Sequence, residues 1–481
     1  MMYCDICKKD VSLRHYQQKA KENIFSAWDE CNSVMFQMPT GTGKTRLFTS
    51  IISDVRSWGV RNNKESKILI IAHRIELIDQ ISESLNKYKV GHGIIAGGVP
   101  RNLEYSVQVA SIQTISHHGN RDLANALNVD FIIVDEAHHC VANSYRKLWQ
   151  MYPEAKKLGV TATPWRMNNS GFTNLFDQII VSKPIKEFIE EGWLAPYNYY
   201  SININSRIQK EIDSIDEFDI EGDYKISALE NKMDTLRIRA QLLDSYLKFA
   251  KGKKGIIYSI SRKHSDHICE EYRNAGINIV RIDSETPKSE RKLYVQRFRK
   301  GLIDIIVNVD IFSEGFDCPD IEFIQLARPT KSLVKYLQQV GRGLRPTDGK
   351  TTCMILDNVG LHFLFGLPDS ERDWEESFIG EPKVPGRKKA SQRTVEIEPS
   401  ERNFEEGNDE MLLIKGDESI AEKWTEKDDE LLKVLYIERQ CPIEVLSAVF
   451  KKEYEEIEKR IEHLNQVTEY DDNLRKSRTE V

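Results

Sequence analysis

Short apolar runs bounded by polar turns recur along much of this chain, and stretches of helical periodicity separate them. Val34-Met35-Phe36 predicts a buried strand, and Leu47 to Ile52 the helix after it. Lys67-Ile68-Leu69-Ile70-Ile71-Ala72 predicts a second strand, followed by a helix from Ile75 to Gln80. Val107 to Ala110, Phe131 to Val134 and Gly159 to Thr161 continue the series. Runs this apolar suit a parallel sheet covered on both faces. Strands alternate with helices from Gln18 to Val181, which predicts an α/β first domain.

A second alternating unit starts near Thr235. The helix Leu236 to Phe249 precedes the strand Lys254 to Ser259. Ile277 to Ile282 and Ile303 to Val309 read as strands, Ser289 to Arg299 as a basic helix, and Ser332 to Val340 as another helix. Between the units, Pro184 to Gly192 reads as a helix and Trp193 to Ile204 as a crossover strand. Ser206 to Leu229 is acidic and weakly patterned, the mark of an insertion or flexible connector.

The polar ends of the strands hold the candidate chemistry. Between the first strand and its helix stands Met38-Pro39-Thr40-Gly41-Thr42-Gly43-Lys44-Thr45-Arg46. A strand, a Gly-rich loop and a helix make the context of a phosphate-binding loop. The loop aims several N–H groups at one anion, and the helix start adds its positive end. Lys44 is placed for β- and γ-phosphates and the Thr45 hydroxyl for Mg²⁺. The strict pattern has Gly where this chain has Met38.

Asp135 and Glu136 follow the fourth strand directly. Asp135 suits Mg²⁺ through its water shell, and Glu136 suits positioning and polarising a water. Upstream, Gln17 carries an amide that can bond the edge of adenine in bidentate fashion. His73 and Arg74 leave the second strand on the side where open α/β sheets bind ligands. Ser111, Gln113 and Thr114 can grip a phosphate backbone without reading bases. Thr161 to Pro164 form a hydroxyl-rich turn suited to relay, and Trp165-Arg166 beyond it either contact nucleic acid or pack. Arg342 and Arg345, three apart, share one face of a helix or turn. An arginine delivered by the second unit would compensate transition-state charge at the phosphates.

Composition narrows the setting. At 481 residues the chain exceeds one core. Forty per cent apolar and thirty per cent charged residues fit a globular protein. No run approaches the roughly 20 apolar residues of a membrane span, and the first residues carry no export signal, so a cytoplasmic setting with no membrane partner is expected. A net charge of −7 excludes a uniformly basic nucleic-acid binder. Eight scattered cysteines suit reduced thiols. Cys4 and Cys7 have half-site spacing for zinc, with no second pair to complete four ligands.

Taken in chain order, these stretches resemble the motifs of the DEAD/DEAH-box superfamily 2 helicases. Arg14-His15-Tyr16-Gln17 resembles the adenine motif, Pro39 to Thr45 motif I, and Ala72-His73-Arg74 motif Ia. Ser111 to Thr114 resembles Ib, Asp135-Glu136-Ala137-His138 the DEAH box, and Thr161 to Pro164 motif III. Tyr258-Ser259 resembles IV, Asn308 to Asp317 V, and Gln338 to Arg345 VI. The resemblance covers Leu13 to Asp357. It implies two tandem RecA-like lobes with parallel sheets, and ATP with Mg²⁺ between them.

On this resemblance Arg14, Gln17, the loop from Thr40 through Gly41, Thr42, Gly43, Lys44 and Thr45 to Arg46, and Gly315 with Asp317 bind the nucleotide. Thr45 and Asp135 hold the metal. Lys44, Asp135, Glu136, Gln338, Arg342 and Arg345 act in hydrolysis. His73, Arg74, Ser111, Gln113, Thr114, Tyr258 and Ser259 contact the strand. Val309 stands where many relatives have Thr. Within the superfamily the chain is most similar to RadD-type DNA repair helicases and to the motor subunits of type I and III restriction enzymes. DNA is then the expected partner, as a single strand or at a junction, with RNA as the alternative. It lacks the cysteine cluster that RadD-type proteins carry near the lobe junction.

The expected divisions are a first lobe over 1–195, a connector over 196–235, a second lobe over 236–368, a charged linker over 369–420 and a helical domain over 421–481. The linker holds a basic knot from Lys383 to Arg393. Trp424 to Leu432, Ile443 to Phe450 and Glu453 to Leu464 predict a small all-α domain that resembles Myb/SANT-like helix-turn-helix modules. Its last helix, Tyr454 to Arg460, is rich in acids, which leaves DNA contact and protein-partner docking both open.

Overall fold

A computed structural model describes residues 13–117, 121–140, 143–311, 318–380 and 411–416, and positions 432, 436, 443, 446, 457, 460 and 461. Cys4, Cys7, Gly315, Asp317, the basic knot and most of the Myb/SANT-like segment lie outside these residues. Contacts divide the chain into units 1–415 and 416–481.

The larger unit contains two seven-stranded sheets. The first holds β1 (Ser33–Gln37), β2 (Ile68–Ala72), β3 (Gly93–Ile95), β4 (Val107–Ser111), β5 (Phe131–Asp135), β6 (Lys156–Thr161) and β7 (Gln178–Val181). Their order is β3-β4-β2-β5-β6-β1-β7, and every pairing is parallel. The second holds β8 (Tyr197–Ile202), β9 (Gly255–Tyr258), β10 (Ile279–Ile282), β11 (Ile305–Asn308), β12 (Phe323–Leu326), β13 (Cys353–Asp357) and β14 (Met411–Lys415). Its order is β10-β11-β9-β12-β13-β8-β14, parallel except for β14. Central strands such as β2 and β5 are buried along their whole length. Two RecA-like lobes account for this arrangement.

The helices are α1 (His15–Glu30), α2 (Lys44–Arg61), α3 (Ile75–Lys87), α4 (Ile112–Ile115), α5 (Arg121–Leu127), α6 (Asn143–Met151), α7 (Ile185–Glu190), α8 (Arg207–Asp213), α9 (Ile226–Met233), α10 (Leu236–Phe249), α11 (Arg262–Asn274), α12 (Lys288–Arg299), α13 (Leu333–Gly343), α14 (Leu361–Phe365) and α15 (Trp374–Ile379). Among the described residues none is long and apolar enough to cross a membrane.

Three stretches differ from the expectations. Tyr197–Ile202 is no mere crossover: β8 is an inner strand of the second sheet, between β13 and β14. Residues 206–229 carry α8 and part of α9, with Ile208, Ile212 and Leu229 buried, so apolar spacing too sparse for a sheet was enough for two short helices. Within the expected linker, α15 returns to the first lobe, where Phe378 stacks on Phe172 and accepts the Phe172 N–H at 2.7 Å. β14 then pairs with β8, and Lys415 meets Asp369. In the smaller unit, Leu432, Leu446, Ile457 and Ile461 form a buried apolar cluster.

Candidate functional site: a phosphate loop facing an arginine helix

β1 ends at Gln37 and α2 begins at Lys44, so the Gly-rich loop turns directly from sheet to helix. Gly43 caps the helix with φ 92° and ψ 41°, a left-handed conformation that only glycine adopts cheaply. A Cβ on Gly43 would also stand 2.6 Å from the Gln17 amide nitrogen. Gln17 is buried, and its Nε2 donates to Thr42 O at 3.0 Å and Gly43 O at 3.2 Å. Its Oε1 accepts the Arg14 N–H at 3.0 Å. Gln17 therefore ties the start of α1 to the loop. Tyr16 adds a bond from its hydroxyl to Thr42 O at 2.7 Å, and Arg14 donates to that hydroxyl. The Arg14 guanidinium lies over the Trp193 ring at 4.6 Å. Thr40 packs on the opposite lobe. Thr45 and Arg46 occupy the first turn of α2, with Arg46 in the field of the Tyr16 hydroxyl.

Lys44 Nζ donates to Met38 O at 3.1 Å and Pro39 O at 3.4 Å. Burial is the main force lowering its pKa; Glu136 and Asp135 oppose it, while Arg342 and Arg345 add to it. The structure thus brings Lys44, both acids and both arginines into one electrostatic neighbourhood. Asp135 and Glu136 are buried at the end of β5. Glu136 has φ 50°, a left-handed value uncommon for any residue other than glycine. Its Oε2 is buried without a hydrogen-bond partner among the described residues, 3.4 Å from His138 Nδ1.

The second lobe meets this loop through α13. A Cβ on Gly341 would lie 2.6 Å from Thr40 Cβ, so the helix backbone rests against the loop. A Cβ on Gly41 would lie 3.2 Å from Arg345 Cγ. Gln338 and Arg342 are buried in α13, and Arg345 follows its end. Two residues that the sequence did not single out hold the helix. Lys350 Nζ donates to Gly343 O and, at 2.9 Å, to Arg345 O. Asp223 bonds Thr330 Oγ1 at 2.8 Å, the Lys331 N–H at 2.8 Å and Lys335 Nζ at 2.9 Å. Burial works against the Asp223 charge, but Lys335 and these donors outweigh it and hold the carboxyl below its usual range.

The expected strand contacts separate into two groups. His73, Arg74, Ser111, Gln113 and Thr114 lie together: Gln113 Nε2 donates to His73 O at 2.9 Å and Ser111 Oγ to Gln113 Oε1 at 2.6 Å. Arg74 reaches the second lobe, donating to Asp310 O at 3.0 Å. Tyr258 and Ser259 do not join them. Both are about as buried as core residues, at 1% exposure. Tyr258 ends β9 within the field of Arg342 and Arg345, and Ser259 bonds Ser265 Oγ and Asn308 O. Both pack inside the second lobe's sheet, apart from the His73 group. Trp165 and Arg166 also pack, with Arg166 3.8 Å above the Phe172 ring.

A glycine cradle, one ammonium, two carboxylates with an orphaned oxygen, and facing guanidinium groups form a donor set that fits a nucleoside triphosphate with Mg²⁺. Among the described residues no group of three or more His, Cys, Asp or Glu side chains could hold a metal by itself. Comparison with known proteins agrees with this architecture. Residues 10–166 match the model of the type III restriction enzyme res subunit, and residues 238–347 that of the helicase conserved C-terminal domain. A 51.5 kDa protein of a Lactococcus phage (isolate 7-9) is 38% identical over 74% of this chain and 72% of its own length. An ATP-dependent helicase by name, IRC3 of Saccharomyces cerevisiae, is 29% identical over 88% of this chain and 62% of its own length. A fragment of an HsdR-type subunit of a type I restriction enzyme from Vibrio vulnificus YJ016 shares the fold, with a TM-score of 0.56 and 24% identity, over 77% of this chain and 67% of that one. The chain belongs to the superfamily 2 helicases and is related to the motor subunits of restriction enzymes.

Proposed function

We propose that this chain is an ATP-dependent DNA motor, a helicase or translocase that hydrolyses ATP between its lobes. The observation that carries the reading is the contact of α13 with the phosphate loop through Gly341 and Thr40. It sets Arg342 and Arg345 in the field of Lys44, which also lies in the field of Glu136 and Asp135. In this reading Lys44 binds the β- and γ-phosphates, and Thr45 and Asp135 hold Mg²⁺, which supplies charge neutralisation at the phosphates. Glu136 orients the attacking water and accepts its proton. Arg342 and Arg345 steady charge that develops during transfer. Gln17 and Arg14 border the nucleotide, as would Gly315 and Asp317.

Because the arginines and the lysine come from different lobes, hydrolysis changes the force between the lobes. His73, Arg74, Ser111, Gln113 and Thr114 form the proposed track for a nucleic-acid backbone. DNA is favoured over RNA because the first lobe matches the restriction-enzyme res subunit model and one relative is named a DNA 3'-5' translocase. A role in DNA repair or phage defence, a cytoplasmic setting, and residues 421–481 as a docking module for DNA or a partner protein belong to the same proposal.

ATP hydrolysis measured alone, with single-stranded DNA and with RNA of equal length tests it. DNA should stimulate most, and Lys44→Ala or Glu136→Gln should abolish the activity. Stimulation by RNA alone would make it an RNA helicase. Indifference to both would remove the motor.

A further inference from the structure

The DEAH motif of this chain is followed by a second histidine, and the structure puts that residue to use. After the left-handed Glu136, Ala137–His139 make one 3-10 turn. His138 faces inward, 2.9 Å from Thr161 Oγ1 and 3.4 Å from Glu136 Oε2. The His139 ring lies beside it. Its ring centroid is 4.2 Å from that of His138 and 3.9 Å from that of His73. His73 leaves β2 on the loop that Gln113 grips through its carbonyl, and its neighbour Arg74 bonds the second lobe at Asp310.

An unbroken line of contacts therefore runs from the hydrolytic carboxylate to the proposed backbone track. Each link is short and stiff: a one-turn helix, two tilted ring contacts and a loop fixed by hydrogen bonds. Packed rings pass on a shift because close-packed groups have few intermediate positions. His139 is the only described residue that joins both the DEAH turn and the His73 loop by ring contact.

We propose that His139 is a positioning residue that couples strand binding at the His73 loop to the setting of Glu136. The inference rests on the motor reading above and adds to it a specific path. It requires a flat ring at position 139, and it requires no proton transfer.

The test compares the ratio of DNA-stimulated to basal ATP hydrolysis in the full chain, with a single-stranded oligonucleotide as the probe. In His139→Ala that ratio should fall about five- to tenfold, the scale of single links in coupling networks. His139→Phe, which keeps a ring, should restore most of it. A double-mutant cycle with His73→Ala should be non-additive, since each variant breaks the same contact. An unchanged ratio in His139→Ala, a Phe variant as poor as Ala, or an additive cycle would each overturn the coupling role while leaving the motor intact. A wild-type chain that no nucleic acid stimulates would remove the motor reading, and the coupling with it.

Discussion

The two lobes repeat one sheet order and bring different side chains to one cleft. Slot by slot, β1 in the first lobe corresponds to β8 in the second, β5 to β12 and β2 to β9. After β1 comes the glycine loop with Lys44; after β8 come Asn203 and Ser206, with no such loop. After β5 stand Asp135 and Glu136; after β12 stands Arg328, and the helix beyond it carries Arg342. The exit of β2 is the half-exposed His73-Arg74 loop, whereas that of β9 is the buried Tyr258-Ser259 pair. On the proposed reading a triphosphate site needs acids to manage a metal and water and cations to meet the phosphates; Lys44 and the acids come from the first lobe, the arginines from the second. If the proposed roles hold, that division makes hydrolysis depend on the lobes meeting.

Removing the second lobe's cation tests that division most severely. Arg342→Ala should lower kcat by about 10³-fold, the low end for arginine fingers, with ATP affinity changed far less. Steady-state kinetics and nucleotide titration separate the two effects. An Arg342→Ala variant with normal kcat would leave the first lobe self-sufficient.

The lobes should also differ in acid. Burial pushes His264, in α11, down to about 4. A histidine held neutral in the folded lobe stabilises it above its unfolded value near 6.5, and that contribution fades as pH falls toward 4. The loss is about 3 kcal/mol between pH 7 and pH 4 by linkage. Urea midpoints across that range should drop, and His264→Leu should flatten the slope. A slope that survives the substitution points to other groups.

Gly341→Ala probes the seam itself. Its methyl would be 2.6 Å from Thr40 Cβ, so the lobes must part slightly, at a cost of about 1–3 kcal/mol. kcat should fall by tenfold or so, while thermal unfolding of the sheets stays near wild type. Full activity in this variant would mean the seam tolerates rearrangement.

The smallest effect is expected where charges bridge the lobes at the surface. Lys288 in α12 meets Asp79 in α3 at 2.9 Å, and Arg291 meets Glu76 at 3.0 Å. Exposed pairs are worth about 0.2–1 kcal/mol. Lys288→Glu should open the lobes only slightly in small-angle scattering, with the difference vanishing at high salt. A large, salt-insensitive opening would assign these pairs a greater role.

Most of the geometry of the candidate site was legible in the primary structure because it is local. Lys44 and Thr45 follow their glycines within one turn, and Asp135 and Glu136 adjoin their strand, so short-range geometry dictates both. The second lobe was harder to read. β12 and β13 are short, and nothing near Phe323 or Cys353 announces a strand. β14 and α15 sit in a stretch whose charge and proline content argue for a linker. Tyr258 and Ser259 look like a polar strand exit, yet only their neighbours determine that the exit is covered. His139, Asp223 and Lys350 act through partners far along the chain, and a lone histidine, aspartate or lysine carries no mark of that.

By itself, then, the order of residues determined which elements form and what chemistry each strand end carries, since propensity, periodicity and loop geometry act over a few neighbours. Tertiary structure alone decided which strand lies beside which, that β8 fills in the second lobe the slot of the phosphate-loop strand in the first, and that the arginine helix comes to rest on Thr40. Those outcomes depend on burial and packing between segments hundreds of residues apart, where no local pattern reaches.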